Sequence, residues 1–240
     1  MQQLQQNNCF FIFNSTQSFP NINDFFTLQF WQNQNRVIGS AKGRGTTYFL
    51  KTKDLFGVNT ALRHYYRGGI WGKINRDCYQ FNTLETTRSF AEFHLLQNLH
   101  QQGFPVPKPI GAKISKTILG RYRADILTEQ IENAEDLTAF LQRTSLSEPY
   151  WREIGRLVRR LHNLQICHTD LNAHNILLQQ TEQGSKFWLI DFDKCGQKSG
   201  SFWKEQNLQR LKRSFLKEKK RMAIYFEKDN WQNVLAGYHE

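Results

Sequence analysis

Three of the five prolines stand at alternate positions, Pro105, Pro107 and Pro109, and they separate stretches of different periodicity. A proline lacks an amide donor and pushes the residue before it out of the helical region, so no helix crosses residues 104–109. Before them, Phe90, Phe93, Leu96 and Leu99 recur at three- and four-residue intervals up to Gly103, which predicts a helix beginning after Thr83. Further upstream the pattern is strand-like. An aromatic stretch at residues 10–13 follows a Gln- and Asn-rich start that is expected to fray. Val37-Ile38 and residues 46–50 flank a loop holding Gly39, Gly43 and Gly45, and a turn at residues 54–57 leads into a third strand over 58–66.

Beyond the prolines, strands are expected at residues 110–114 and 124–128 and a short helix at 136–141. A second amphipathic helix opens at Ser147-Glu148-Pro149, with Tyr150, Ile154, Leu157, Val158 and Leu161 on one face. Strands, a helix, strands and then mainly helices predict an α+β chain. With 240 residues there is room for one large domain or two small lobes. A hydrophobic content of 39% argues against wholesale disorder. The longest apolar run, residues 9–13, falls far short of the roughly 18 residues of a membrane span. No basic segment followed by an apolar one opens the chain, so no signal peptide is read and the cytosol is the expected compartment. The cysteines, Cys9, Cys78, Cys167 and Cys195, form no C-x-x-C pair and are expected to be reduced. A zinc site from Cys167, His168, His174 and Cys195 is disfavoured because sequence neighbours rarely converge on one ion.

The chemistry concentrates in residues 168–178, H-x-D-L-x-x-x-N followed by an apolar strand, and in Leu189-Ile190-Asp191-Phe192-Asp193. Phosphoryl transfer needs a carboxylate near the attacking hydroxyl and oxygen ligands for Mg²⁺. Asp170 can supply the first, and Asn175 and Asp191 the second, the latter across a hairpin anchored by residues 176–178 and 187–190. His168 reads as an orienting residue, since the loop already offers a carboxylate. The loop glycines could let backbone amides approach phosphates.

These motifs, in this order, resemble the lipopolysaccharide kinase family, whose members share the protein-kinase-like fold. Residues 92–99 followed by Gly103-Phe104-Pro105-Val106-Pro107 resemble the glutamate-bearing helix and strand entry of aminoglycoside-type phosphotransferases. Residues 43–50, 61–69, 167–178 and 189–194 look like the members that act on 3-deoxy-D-manno-octulosonic acid (Kdo). The resemblance implies two lobes, an antiparallel β N-lobe over residues 1–127 and a small, mainly helical C-lobe over 135–240, with a hinge at 128–134. It implies Asp170 as catalytic base, Asn175 and Asp191 as metal ligands, and Arg63 bracing the phosphates with Glu92 behind it. Gly39, Gly43 and Gly45 would cover ATP, and Glu129 and Ile131 would meet the adenine. The implied acceptor is the 4-hydroxyl of the Kdo sugar on Kdo-lipid IVA, at the cytoplasmic face of the inner membrane. Arg63 replaces the expected strand lysine, which leaves an inactive lipid-binding pseudokinase as one alternative; a heptose-directed kinase is another. Asp193 in place of glycine and Asn172 in place of a basic residue argue against a regulated protein kinase.

Of a formal charge of +11, +6 falls between Lys204 and Arg221. Leu208, Leu211 and Phe215 give that segment an apolar stripe, so it reads as a basic amphipathic helix docked by its stripe, with its charges facing an anionic acceptor or membrane surface. Aromatic residues do not interleave with the charges, so nucleic acid is not expected. Nothing in the chain specifies an oligomeric state.

Overall fold

A computed structural model describes residues 1–14, 21–43, 45–67, 77–182 and 184–240. The chain forms two compact units: Met1–Asn98 with Pro107–Gln130, and Leu99–Val106 with Ile131–Glu240.

The first unit is built on an antiparallel sheet. Strands β1 (Gln2–Gln6) and β2 (Cys9–Phe13) pair from Gln2 opposite Phe13 to Gln6 opposite Cys9, so the glutamine-rich start is ordered and not frayed. Polar side chains suit an edge strand with a solvated face, because the pairing itself needs only backbone groups. Helix α1 (Leu28–Asn33) follows, then β3 (Val37–Lys42), β4 (Thr46–Leu50), the one-turn α2 (Lys53–Phe56) and β5 (Thr60–His64). The turn expected at residues 54–57 is thus helical, and Gly57 ends it at φ 77. β6 (Tyr79–Gln80), α3 (Arg88–Gln101, its last three residues in the second unit), β7 (Pro109–Thr117) and β8 (Arg121–Glu129) come next, and a 3-10 turn (Ile22–Phe26) precedes α1. The sheet order is β1-β2-β7-β8-β5-β4-β3, with β6 on β8. An aromatic core of Phe11, Phe13, Phe25, Phe26 and Trp31 packs with Leu50, Leu62, Ile110 and Leu127. Trp31 spends its indole N–H on the Phe25 carbonyl at 2.9 Å.

The second unit holds β9 (Ala134–Asp136), α4 (Leu137–Leu141), α5 (Glu148–Asn163), β10 (Ile166–Cys167), β11 (Ile176–Thr181), β12 (Gly184–Leu189), β13 (Gly196–Gln197), α6 (Phe202–Met222) and α7 (Lys228–His239). β11 pairs with β12 from Ile176 opposite Leu189 to Thr181 opposite Gly184, and with β9 on its other side. The buried face of α5 carries Trp151, Ile154, Leu157, Val158 and Leu161; Tyr150 is only half-buried. Helices α5 and α7 meet at two glycines. A Cβ on Gly155 would lie 2.0 Å from the Val234 carbonyl oxygen, and one on Gly237 would lie 2.0 Å from that of Arg152. Only hydrogen fits at either point. Among the described residues no helix is long and apolar enough to cross a membrane.

Candidate active site

The apolar residues of β11 and β12 fix a hairpin whose open end carries the site. Opposite Ile176 stands Leu189, so Asn175 and Ile190 face each other just past the ladder, and the Ile190 N–H donates to the Asn175 carbonyl at 3.0 Å. Asp191 comes next, at φ 62, a left-handed conformation that aspartate tolerates better than most side chains. On the other side a short 3-10 turn (Ala173–Asn175) is capped by Asn172, whose side-chain oxygen accepts from the His174 and Asn175 amides. The Asn175 side-chain amide donates to the Asp170 carbonyl at 2.9 Å. Its oxygen accepts no hydrogen bond from any described residue. Asp170, Asn175 and Asp191 are therefore gathered at the mouth of one hairpin.

His168 is fully buried and donates from Nε2 to the Ile190 carbonyl at 3.0 Å, which ties the two halves of the site together. Burial holds its imidazole below the ordinary value, against the pull of Asp191 and Asp170. A neutral, hydrogen-bonded His168 orients the loop, as its place in the sequence suggests. Among the described residues no cluster of three His, Cys, Asp or Glu side chains could hold a metal ion, and none of the four cysteines is in a disulfide.

Helix α6 reads the loop along a polar stripe at 3.6-residue spacing. The Asn207 amide donates to the His168 carbonyl at 2.8 Å. Arg210 donates to Asp170 Oδ1 at 2.5 Å. The Ser214 hydroxyl oxygen accepts from the Ala173 amide at 3.0 Å, and buried Glu218 lies 3.6 Å from His174 Nε2. His174 in turn meets Asp136 at 2.6 Å through Nδ1. From the sequence, the charges of this helix are expected to face away from its apolar stripe; the structure corrects this for Arg210, which points at the loop. Lys219 and Arg221 are also engaged, at 2.7 Å from Glu227 and 2.8 Å from Glu218. Behind Asn207, buried His162 donates from Nε2 to the Asn207 side-chain oxygen at 3.1 Å and accepts from the Tyr238 hydroxyl at 2.8 Å. Burial lowers its pKa to about 4, so it is neutral near pH 7.

In the first unit, Arg63 on β5 and Glu92 on α3 meet at 2.6 Å, and the Tyr65 hydroxyl donates to the same carboxylate at 2.6 Å. The glycine loop is tighter than the sequence suggests. Gly39 belongs to β3, opposite Phe49, and not to a loop. The Gly43 amide is spent on the Gly45 carbonyl at 2.7 Å. Gly45 has a packing reason to be glycine, since a Cβ there would lie 2.2 Å from the Tyr66 ring. Arg44, Gly68 and Gly69, in the stretches that carry the resemblance, lie outside the described residues. Arg67, at the end of the stretch that follows β5, donates from Nε to the Cys78 carbonyl at 2.7 Å. Glu129, at the end of β8, accepts from the Lys108 amide at 3.1 Å. Ile131 opens the chain's return into the second unit, half-buried.

The model of the lipopolysaccharide kinase (Kdo/WaaP) family matches residues 28–238. The chain belongs to this family. It is 68% identical over 241 residues, covering 100% of both chains, to a 3-deoxy-D-manno-octulosonic acid kinase of Haemophilus influenzae strain PittEE. To the enzyme of that name from Actinobacillus succinogenes it is 63% identical, over 99% of each. A solved structure of WaaP in complex with acyl carrier protein shares the fold at a TM-score of 0.56 and 15% identity, covering 88% of this chain and 85% of that one. The fold is thus α+β and protein-kinase-like, and the kinase is a phosphotransferase of lipopolysaccharide biosynthesis that uses ATP.

Sequence reasoning missed Asn207, Arg210 and Ser214 as neighbours of the loop of residues 168–175. Their spacing of three and four is visible in the chain, but the loop residues they touch lie about 40 positions upstream, as the Arg210–Asp170 pair at a separation of 40 shows.

Proposed function

We propose that the kinase transfers the γ-phosphoryl group of ATP to the 4-hydroxyl of the Kdo sugar on Kdo-lipid IVA. End-to-end identity with enzymes named for Kdo carries the choice of acceptor. Asp170 accepts the proton of the hydroxyl as its oxygen attacks phosphorus and ADP leaves. Asn175, whose side-chain nitrogen goes to the Asp170 carbonyl and leaves its oxygen to accept, and Asp191, one residue past the hairpin, carry the hard oxygen donors that Mg²⁺ takes. When bound, the ion would neutralise charge on the transferring phosphate. Arg63, held by Glu92, braces the phosphates, and the backbone from Glu129 to Ile131 meets the adenine.

The same reading places the kinase peripherally at the cytoplasmic face of the inner membrane. Support comes from the outer side of α6, where Lys217 is 70% exposed and Phe202 and Leu216 stand out at 82% and 43%.

Mass spectrometry of Kdo-lipid IVA after incubation with kinase, ATP and Mg²⁺ tests the reading. A gain of one phosphoryl group, placed at the 4-position by NMR, is expected. An unmodified Kdo acceptor beside a phosphorylated heptose acceptor would overturn it.

A further inference from the structure

The contact between Arg210 and Asp170 joins the basic helix to the carboxylate that receives the acceptor hydroxyl. The acceptor is itself an anion, because an octulosonic acid carries a carboxylate on the same sugar as its hydroxyls. Two carboxylates brought together repel unless a cation stands between them. Arg210 is such a cation. It stands one helical turn from Asn207 and from Ser214, both of which are bonded to the loop, so its position along the loop is fixed. One Nη2 hydrogen goes to Asp170, while Nε and Nη1 donate to no described residue. The side chain is 47% exposed and Asp170 is 32% exposed, so both are within reach of solvent and ligand. Guanidinium is planar and always charged, and the second Nη2 hydrogen makes, with the neighbouring N–H on Nε or Nη1, the fork that matches a carboxylate. At the loop position where protein kinases carry a basic residue, Asn172 spends its side chain inside the loop, on the His174 amide at 2.9 Å and the Asp170 carbonyl at 3.0 Å.

We propose that Arg210 is the acceptor-binding cation of this kinase: it holds the Kdo carboxylate with its outer donors and so delivers the 4-hydroxyl of the same sugar to Asp170. This assignment rests on the Kdo acceptor proposed above. It gives the helix outside the catalytic loop a part in choosing an acidic sugar over a neutral one.

The test is a cycle of two proteins and two acceptors, wild type and Arg210→Gln against Kdo-lipid IVA and the same acceptor with its carboxylate reduced to the alcohol. With the natural acceptor, Arg210→Gln should lose about 10–100-fold in kcat/KM, the scale of one charged hydrogen bond, while the KM for ATP stays within about twofold. The reduced acceptor should cost the wild type a similar factor and the variant almost nothing, because the interaction is already gone. Arg210→Lys, which keeps charge without the fork, should fall between the two. Each ratio compares acceptors within one protein, so a change in folded fraction cancels. Equal losses in wild type and variant on carboxylate reduction would overturn the assignment, as would a raised KM for ATP in place of the acceptor effect. Coupling that appears on removing the lipid phosphates, and not on reducing the carboxylate, would also overturn it. A wild type inactive on the natural acceptor would instead strike at the acceptor reading itself.

Discussion

The Arg63 guanidinium and the Glu92 carboxylate meet at 2.6 Å, but unequally: the glutamate side chain is 3% exposed and the arginine 25%. The two partners are therefore not interchangeable in what their loss leaves behind. Arg63→Ala takes the guanidinium from a buried carboxylate, whereas Glu92→Gln leaves an arginine able to reach water. Breaking a buried pair from the side that leaves the buried charge costs about 3–5 kcal/mol. Urea melts should show Arg63→Ala clearly less stable than Glu92→Gln, and equal midpoints would contradict this account of the pair. Nucleotide titration of Arg63→Lys, which keeps the charge, completes the test. If the residue braces phosphate, affinity should weaken in the lysine variant and weaken further in the alanine variant.

Asp170 has a structural contact with Arg210 as well as its proposed chemical part. Asp170→Asn keeps the shape of the side chain and the loop bonds made by its carbonyl. Loss of a general base costs about 10²–10⁴-fold in rate. Single-turnover measurements should show a loss in that range, with the melting temperature changed little. Wild-type transfer in this variant would remove the base from Asp170.

His162 predicts how stability depends on pH. Its pKa is about 4 in the fold, below the ordinary 6.5, because burial disfavours the imidazolium and the nearby Lys204 and Arg159 repel its charge. The unfolded chain thus binds a proton at a pH where the folded one does not. This contribution is fully present above about pH 6.5 and is lost as pH falls toward 4, a total of about 3 kcal/mol. His162→Gln, which can keep one donor and one acceptor, should flatten that slope in melts run from pH 4 to 7. A parallel slope in both proteins would show that other groups govern acid lability.

The crossing of α5 and α7 leaves no space for a methyl group at Gly155 or Gly237, since each would lie 2.0 Å from a facing carbonyl oxygen. Backbone cannot rotate away as a side chain can. Gly155→Ala should cost at least the 1–3 kcal/mol typical of overpacking, roughly, and calorimetry would report it as a lower melting temperature. An unchanged value would mean that the helices can slide apart at no cost.

Legibility in the sequence followed the range of the contacts. The loop of His168, Asp170 and Asn175, and Asp191 beyond it, could be read because a hairpin joins residues close in sequence, and apolar alternation fixes its register. The docked stripe of Leu208, Leu211 and Phe215 was legible too, and all three are buried. Arg210 was hidden, because a charge on an amphipathic helix has the same signature whether it meets water or a carboxylate 40 residues away. Strand β1 was hidden for another reason. Its glutamines have no strand preference of their own, and pairing with the apolar β2 imposes the conformation. Gly39 misled because glycine in a ladder and glycine in a loop look alike until the opposing Phe49 is known.

The bracing of the catalytic loop by α6 also orders events during synthesis. Residues 168–175 leave the ribosome well before Asn207, Arg210 and Ser214, so the loop emerges without the helix that holds it. A domain folds as a unit once its long-range partners are present. A nascent chain that has exposed only the first part of this unit would carry every residue of the loop motif and still lack its shape. Phosphoryl transfer would begin only after α6 has emerged and docked.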